Sequence, residues 1–555
     1  MPHPNIRFPL EGVVYVDEAD ASRYTQAGAW LQTDAGEALR QTARRLPEKR
    51  ALLSTDRHLT FREWDEASER LGAALLDLGL APGDRALFQM GTVVETAITL
   101  FGCFKAGVVP VCTLPQHREV EIGDIALRTG AKAHFVQADF SRFDLAAFAK
   151  AMAARQAGVR HVIVARGGGQ PGTLAMNTLI DSVTIDTARK RLDAIDIGMQ
   201  DVLTFQLSGG TTGLPKIIPR FHGEYLGQSQ AWAARIGLSE RDTALWTLPL
   251  IHNAGQVLML VPTVLSGSSL VLMPRMEAGI FFDWIERERV TIVTSIGPIA
   301  SYVLDYEPAA RRDLASLRLF MTLNRADSLE AHLGVTSMNM FGMTEGLLMG
   351  SAPDAPRDAR FETVGEPASA EDDVRLLEPA SEKPVADGEP GEMAFRGPSM
   401  TRGYYRMPEE NQRVFTSDGF FRSGDLMTAR RIADRLFYAF EGRLKDNIDR
   451  GGEKFGVEEI EHLIAAYPGV ADATVVAMPD RVYGERACAY VIMRPGQRLP
   501  DVPELGAFLR EQGLASFKLP ERIEAIDSFP VTGPGKVDKA ALRAMIAEKM
   551  RSEKV

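Results

Sequence analysis

Cysteine is scarce in this chain: 555 residues hold three, Cys103, Cys112 and Cys488. They are far apart and no C-x-x-C pair occurs, which excludes a disulfide framework, a zinc ribbon and a thioredoxin-like redox site. Long hydrophobic runs are also lacking. The most apolar stretch, residues 257–265, is about half the length needed to span a bilayer and contains Pro262. The first twenty residues, MPHPNIRFPLEGVVYVDEAD, show no basic segment followed by a sustained apolar one, so no secretory signal is read there. Nor is there a basic excess: 63 Lys and Arg face 74 Asp and Glu, a formal charge of −11. A field of that sign repels nucleic acid and anionic membranes, although a local basic pocket can coexist with it. No internal repeat or low-complexity tract is present. What remains, at 45% hydrophobic and 25% charged, is the average composition of a globular protein. The expected location is the cytoplasm.

From about Gly83 to Met340, short apolar runs alternate with longer amphipathic stretches. DRALFQM, VVPVC, AHFVQA, RHVIVA, LTFQL, SSLVLM, TIVTSI and LRLFMTL have the length and the β-branched or bulky content of strands. Helix-period segments such as VVETAITLFGCFKA and FFDWIERER lie between them. Such alternation predicts mostly parallel sheets covered on both faces, in more than one subdomain. After Gly346 the segments EMAFRG, GYYR, GFFRSGDL and RLFYAFEGR are shorter and turn-rich, and predict antiparallel, barrel-like strands. After Asp446, two helices, two strands and a last helix form a small α+β block, with Val457, Ile460, Leu463 and Ile464 on one helix face. The expected class is therefore α/β, with stacked α/β subdomains and a β-barrel-like subdomain in residues 1–442. A link at 443–446 and a small domain at 447–555 complete the expected organisation.

The stretch LTFQLSGGTTGLPKIIPR carries the clearest chemistry. A strand runs into Ser208-Gly209-Gly210-Thr211-Thr212-Gly213, followed by Lys216. Glycines let the backbone fold around a polyphosphate with its N–H groups inward, hydroxyls add donors, and Lys216 adds a point charge. It is not a Walker loop, because Pro215 precedes the lysine and Ile217 follows it. A literal G-x-G-x-x-G at Gly167, Gly169 and Gly172 lacks a helix start and a strand-end acid, and reads as a surface turn.

LSGGTTGLPK resembles the phosphate loop of adenylate-forming enzymes: acyl-CoA synthetases, peptide-synthetase adenylation domains and luciferases. Five more motifs follow in that superfamily's order: FGMTEG, GYYR, DGFFRSGDL, EGRLKDNIDRGGEKF and TGPGKVDK. SGGTTGLPKIIPR, LPLIHNAG, the RGGEK ending, LASFKLPERI and the N-terminal RYTQAGAWLQTDAGEALRQTARRLPEKRAL most resemble stand-alone aryl-acid–AMP ligases, the 2,3-dihydroxybenzoate and salicylate enzymes of siderophore assembly. The resemblance implies a carboxylate reacting with ATP and Mg²⁺ to give an acyl-adenylate and pyrophosphate, and a small domain that rotates before a phosphopantetheine thiol attacks. It assigns Ser208 to Gly213 and Lys216 to phosphate, Phe341, Gly342 and Met343 to adenine, and Thr344 to phosphate. It gives Glu345 and Thr212 to Mg²⁺, Asp425 and Arg443 to ribose, and Lys445 to the hinge. Taken alone, Asp425 reads as a turn or cap residue, and Arg443 and Lys445 as a solvated charged turn. Lys536 matches the catalytic lysine that bridges carboxylate and α-phosphate, and Arg450-Gly451-Gly452 would line the thiol's tunnel.

His252 and Asn253 would face the acid's carboxylate and ring, although Asn253 also reads as a helix cap. The rest of that pocket departs from the aryl-acid pattern. Ala254 stands where an aromatic is usual and Leu258 where a hydroxyl is, Leu323-Asn324 replaces small residues, and Gly346 is expected beside the acid with them. Losing a ring and a hydroxyl changes the pocket's shape and removes one reason to prefer catechols. The acid is then an aromatic, heteroaryl, alicyclic or aliphatic one. The chain holds no recognisable carrier segment, so the thiol is expected from an aryl carrier protein or coenzyme A. An acyl-CoA synthetase and a noncatalytic nucleotide-binding relative are the alternative readings.

Overall fold

The apolar runs become strands because β-branched and aromatic residues fit a pleated, doubly covered surface. In the computed structural model of the chain, residues 5–553 are described except 156–157, 209–214, 297–298, 307–308, 310, 324, 379, 387, 445–447 and 531–536. Their strands form sheets of nine, seven, five and four strands. The seven-stranded sheet runs Leu174–Ala175, His161–Ala165, Ala133–Gln137, Arg85–Gln89, Val109–Val111, Val202–Ser208 and Lys216–Phe221. All its neighbours are parallel except the last pair. The nine-stranded sheet is parallel from Arg50–Leu53 through Ser337–Gly342 and antiparallel at both ends. The eight runs predicted between Gly83 and Met340 all contain a strand of these two sheets.

The two sheets share one core. Helix Val94–Lys105 is buried at every residue, as befits a helix enclosed on all sides. It belongs to a cluster that includes Phe88 and Phe135 of one sheet and Leu52 and Trp246 of the other. The single cation on this helix, Lys105, is held by Asp65 at 2.7 Å and Glu69 at 3.7 Å.

The turn-rich region builds a four-stranded antiparallel sheet in sequence order, Asp373–Leu377, Gly391–Arg396, Phe421–Ile432 and Arg435–Arg443. Its described strands form an open ladder, with Asp373–Leu377 and Arg435–Arg443 as the edges. GYYR is not one of its strands. Side chains take over the hydrogen bonds a ladder would use there: Tyr404 N donates to Asn411 Oδ1 at 2.7 Å, and Gly403 N to Thr401 Oγ1 at 3.2 Å. Beyond it, Tyr405 N donates to the Ile217 carbonyl at 2.8 Å. Gly167, Gly169 and Gly172 lie in an exposed turn, two of them at positive φ.

Residues 448–553 fold around their own clusters, in which Val457, Ile460 and Ile464 are buried together and Leu463 packs against them. Their sheet pairs Val470–Asp480 with Gly484–Met493 and adds the hairpin Ile448–Arg450 and Glu453–Phe455. Helix Val502–Glu511 starts at a reciprocal cap, Asp501 with Glu504. No described helix is long and apolar enough to cross a membrane.

Candidate active site

Strand Val202–Ser208 pairs antiparallel with Lys216–Phe221, in a register that sets Ser208 opposite Lys216. Both residues line a cavity of about 1610 Å³ between the large N-terminal part and residues 448–553. Gly209, Gly210, Thr211, Thr212 and Gly213, expected at phosphate or metal, lie outside the described residues, as do Asn324, Lys445 and Lys536. The cavity gathers from distant segments His252, Ala254, Leu323, Phe341, Gly342, Met343, Thr344, Glu345 and Asp425.

Glu410, Tyr404 and Arg220, around the phosphate-loop stem, carry no role expected from the sequence, whereas Lys216 does. Lys216 is buried, donates to Glu410 Oε1 at 2.5 Å and sits 4.4 Å above the Tyr404 ring. The Tyr404 hydroxyl donates in turn to Glu345 Oε1 at 2.9 Å. Burial, followed by the Glu345 carboxylate, pushes the Tyr404 phenol well above its ordinary range, so it remains a donor. The GYYR turn thereby orients the Glu345 carboxylate. Arg220 is the third. It is 1% exposed and holds Glu224 through two bonds of 2.7 and 2.9 Å and Gln228 at 2.8 Å. It also donates to the Thr344 carbonyl at 3.0 Å. One guanidinium thus ties the strand after the phosphate loop, helix His222–Arg235 and the FGMTEG turn together. Glu224 and Gln228, four apart in helix His222–Arg235, share one helix face, and Arg220 reaches it from the end of the preceding strand.

The FGMTEG turn is braced from behind. Gly346 has φ +131°, and a Cβ there would lie 1.7 Å from the Ser399 carbonyl oxygen, so only glycine fits. The Gly346 carbonyl accepts from Ser399 Oγ at 2.8 Å and from the Gln228 amide. Contrary to the expectation that it faces the acid, and because its backbone packs against Ser399 behind the turn, Gly346 is not among the cavity-lining residues. Phe341 is, and its ring stacks 6.1 Å from that of Phe440, which supplies a second aromatic face. Asp425 is buried at the cavity wall, in register with Arg443 on the neighbouring strand.

The acid end begins at His252, whose Nδ1 accepts from Ala254 N at 3.2 Å, leaving the neutral ring's proton on Nε2. Asn253 sits behind the wall: its Oδ1 accepts from the Tyr225 hydroxyl at 2.9 Å and from Arg220 at 3.5 Å. The chain then continues as a π-helical turn, Gly255–Leu260, of the kind frequent at functional sites. Leu258 packs within the large core and is not among the lining residues, whereas Ala254 and Leu323 are. Arg325, also lining, has a left-handed backbone with φ +67° at the start of helix Ala326–Leu333.

Residues 448–553 close the cavity. A Cβ on Gly452, at the tip of the small domain's hairpin, would lie 2.8 Å from Ile296. Arg450 donates to Glu521 Oε1 at 2.7 Å and lies 4.4 Å over the Tyr483 ring. Lys518, also lining, is almost fully buried between Glu121 Oε1 at 2.9 Å and Glu459 Oε2 at 2.7 Å. Among the described residues, no group of three or more His, Cys, Asp or Glu is placed to hold a metal ion.

The chain matches the AMP-binding enzyme family over residues 39–405 and the AMP-binding enzyme C-terminal domain over 459–536. It is 38% identical to pyochelin synthase PchD of Pseudomonas aeruginosa, across 96% of this chain and 95% of that one. It is 35% identical to a 2,3-dihydroxybenzoate-AMP ligase of Bacillus subtilis, across 98% and 99%. Among solved structures, Mycobacterium smegmatis MbtA superposes with a TM-score of 0.72 at 30% identity, covering 96% of this chain and 98% of that one. With one cavity drawing together the stem of the phosphate loop, the FGMTEG turn and Asp425, and with both family domains matched, the chain belongs to the AMP-binding, adenylate-forming enzymes.

Proposed function

We propose that this enzyme condenses an aromatic carboxylic acid with ATP to an acyl-adenylate and then passes the acyl group to a phosphopantetheine thiol. The observation that carries the reading is one cavity lined together by Ser208, Lys216, Glu345 and Asp425 and by His252, Ala254 and Leu323. The relatives named for 2,3-dihydroxybenzoate and salicylate support an aromatic acid.

In the first step a carboxylate oxygen bonds to the α-phosphorus as the bond to pyrophosphate breaks. Two anions must approach, so positioning and charge neutralisation dominate the catalysis. The segment between Ser208 and Lys216 is assigned to the phosphates, Phe341, with Phe440 stacked against it, to one face of adenine, and Asp425 to the ribose diol, from which its carboxylate would accept. Lys536 supplies the ammonium between carboxylate and α-phosphate, where charge grows in the transition state. Glu345 suits Mg²⁺, because a hard cation that keeps its waters and phosphate oxygens needs only one or two carboxylates. When bound, that ion neutralises phosphate charge. Tyr404 holds the carboxylate in place for it. In the second step the thiol sulfur bonds to the carbonyl carbon and AMP leaves.

ATP–pyrophosphate exchange over salicylate, dihydroxybenzoates, benzoate, heteroaryl and short aliphatic acids tests the first step. Exchange confined to aliphatic acids, or to none, overturns the reading. A second reading, free coenzyme A as acceptor, is favoured by similarity to a salicylyl-CoA synthase and a naphthoate–CoA ligase, each 35% identical. Turnover with coenzyme A against a carrier protein separates the two.

A further inference from the structure

The acid end of the cavity contains a carboxamide that the proposed chemistry does not use. Gln206 lies on strand Val202–Ser208, two residues before the phosphate loop, is 1% exposed and lines the cavity. Cys112, also lining, is joined to the same strand by a bond from its N–H to the Phe205 carbonyl at 2.9 Å.

The hydrogen bonds around these two side chains fix their orientation. Thr204 donates its hydroxyl to the Pro110 carbonyl at 3.1 Å, so toward Cys112 Sγ, also at 3.1 Å, it offers only lone pairs. The thiol proton therefore points to Thr204. The sulfur accepts from Gln256 Nε2 at 3.4 Å, which also donates to the Ile251 carbonyl at 2.7 Å. Cys112 has no hydrogen-bonding capacity left for a ligand. The Tyr225 hydroxyl is spent on Asn253 Oδ1, which leaves its oxygen as an acceptor.

The Gln206 amide nitrogen is buried without a hydrogen bond of full length among the described residues. Its weak polar interactions are with the Tyr225 phenol and the Cys112 thiol, both acceptors toward it. An amide whose nitrogen faces two acceptors turns its oxygen the other way, toward the cavity.

We infer that the Gln206 carbonyl oxygen reads a ring substituent of the acid and selects aromatic acids that carry a hydrogen-bond donor, a hydroxyl or an amino group. This rests on the acid-activating reading of the cavity. A buried acceptor left unpaired costs more than a satisfied one returns, so an acid lacking the donor is penalised rather than merely not rewarded. The small side chains of Cys112 and Ala254 leave room for the substituent.

The test is ATP–pyrophosphate exchange with matched benzoates bearing hydroxyl, amino, fluoro or no substituent at each ring position. In the unaltered protein, kcat/KM for the best hydroxyl or amino acid should exceed that for its fluoro and unsubstituted counterparts by roughly tenfold or more. Gln206→Met should shrink that ratio to within about twofold, and the ratio is insensitive to a general loss of active protein. Because the panel in the unaltered protein stands by itself, a variant that fails to fold does not remove the test. Exchange with no preference for donors, or a preference that survives Gln206→Met, overturns the inference alone. Exchange with no acid at all overturns both it and the reading beneath it.

Discussion

Lys536, Arg220 and His117 occupy three different relations between a residue and its site. Lys536 is assigned by motif, and Lys536→Ala should nearly abolish pyrophosphate exchange while leaving ATP binding and the melting temperature in place. Retained exchange would remove the assignment. Arg220 was legible only as part of a motif, and its work emerges from contacts with segments more than 100 residues away. Arg220→Met leaves the buried Glu224 carboxylate without its partner, and a broken buried pair costs about 3–5 kcal/mol. The expected outcome is a lower denaturant midpoint together with weaker exchange. His117, at the cavity wall beside Lys518, Glu121 and Arg118, is pushed down to about 4 by burial first, then by the two cations against the pull of Glu121. Its folded value lies below the ordinary 6.5, so its contribution is complete above pH 6.5 and is lost as pH falls toward 4. Melting temperatures of His117→Gln should fall less steeply across that window than those of the unaltered protein.

At the scale of elements, the parallel strands were legible because both faces are covered and the runs are continuously apolar. The GYYR segment was not. Its two tyrosines have strand propensity, but Thr401 and Asn411 satisfy its backbone locally, and the turn serves to aim Tyr404 at Glu345. Tyr404→Phe removes that bond while keeping the ring under Lys216. The apparent Mg²⁺ requirement of exchange should rise several-fold with little change in melting temperature, and an unchanged Mg²⁺ dependence would detach the turn from the metal site. Leu258 shows a different limit. The resemblance set it at the acid, in the place of a hydroxyl, but the π-helical turn and the core packing take it away from the lining.

For the whole molecule, the pairing of Lys518 with Glu121 joins the small domain to helix Glu119–Thr129 of the large part. The contact pushes Lys518 above its ordinary range and Glu121 below, in each case against the opposing effect of burial. Burial raises Glu459, the second carboxylate on Lys518, against the pull of that ammonium. Lys518→Met strands a fully buried carboxylate and should loosen this closed arrangement. Limited proteolysis at the expected link, residues 443–446, should accelerate, and an unchanged cleavage rate would show that other contacts hold the domains.

The sequence by itself determined the strand and helix pattern and the family, because hydrophobic period and short motifs are local and keep their meaning out of context. Its few scattered cysteines and short apolar runs gave no ground to expect a disulfide framework, a zinc ribbon or a membrane-spanning helix. The tertiary structure alone decided which residues meet. Gln206 and Cys112 reach the acid end, while Asn253 and Leu258 stand behind its wall, because burial and hydrogen-bond partners are set by chain segments far apart in sequence. The three cysteines that excluded so much at the outset are all buried thiols, and the structure sets Cys112 against the cavity.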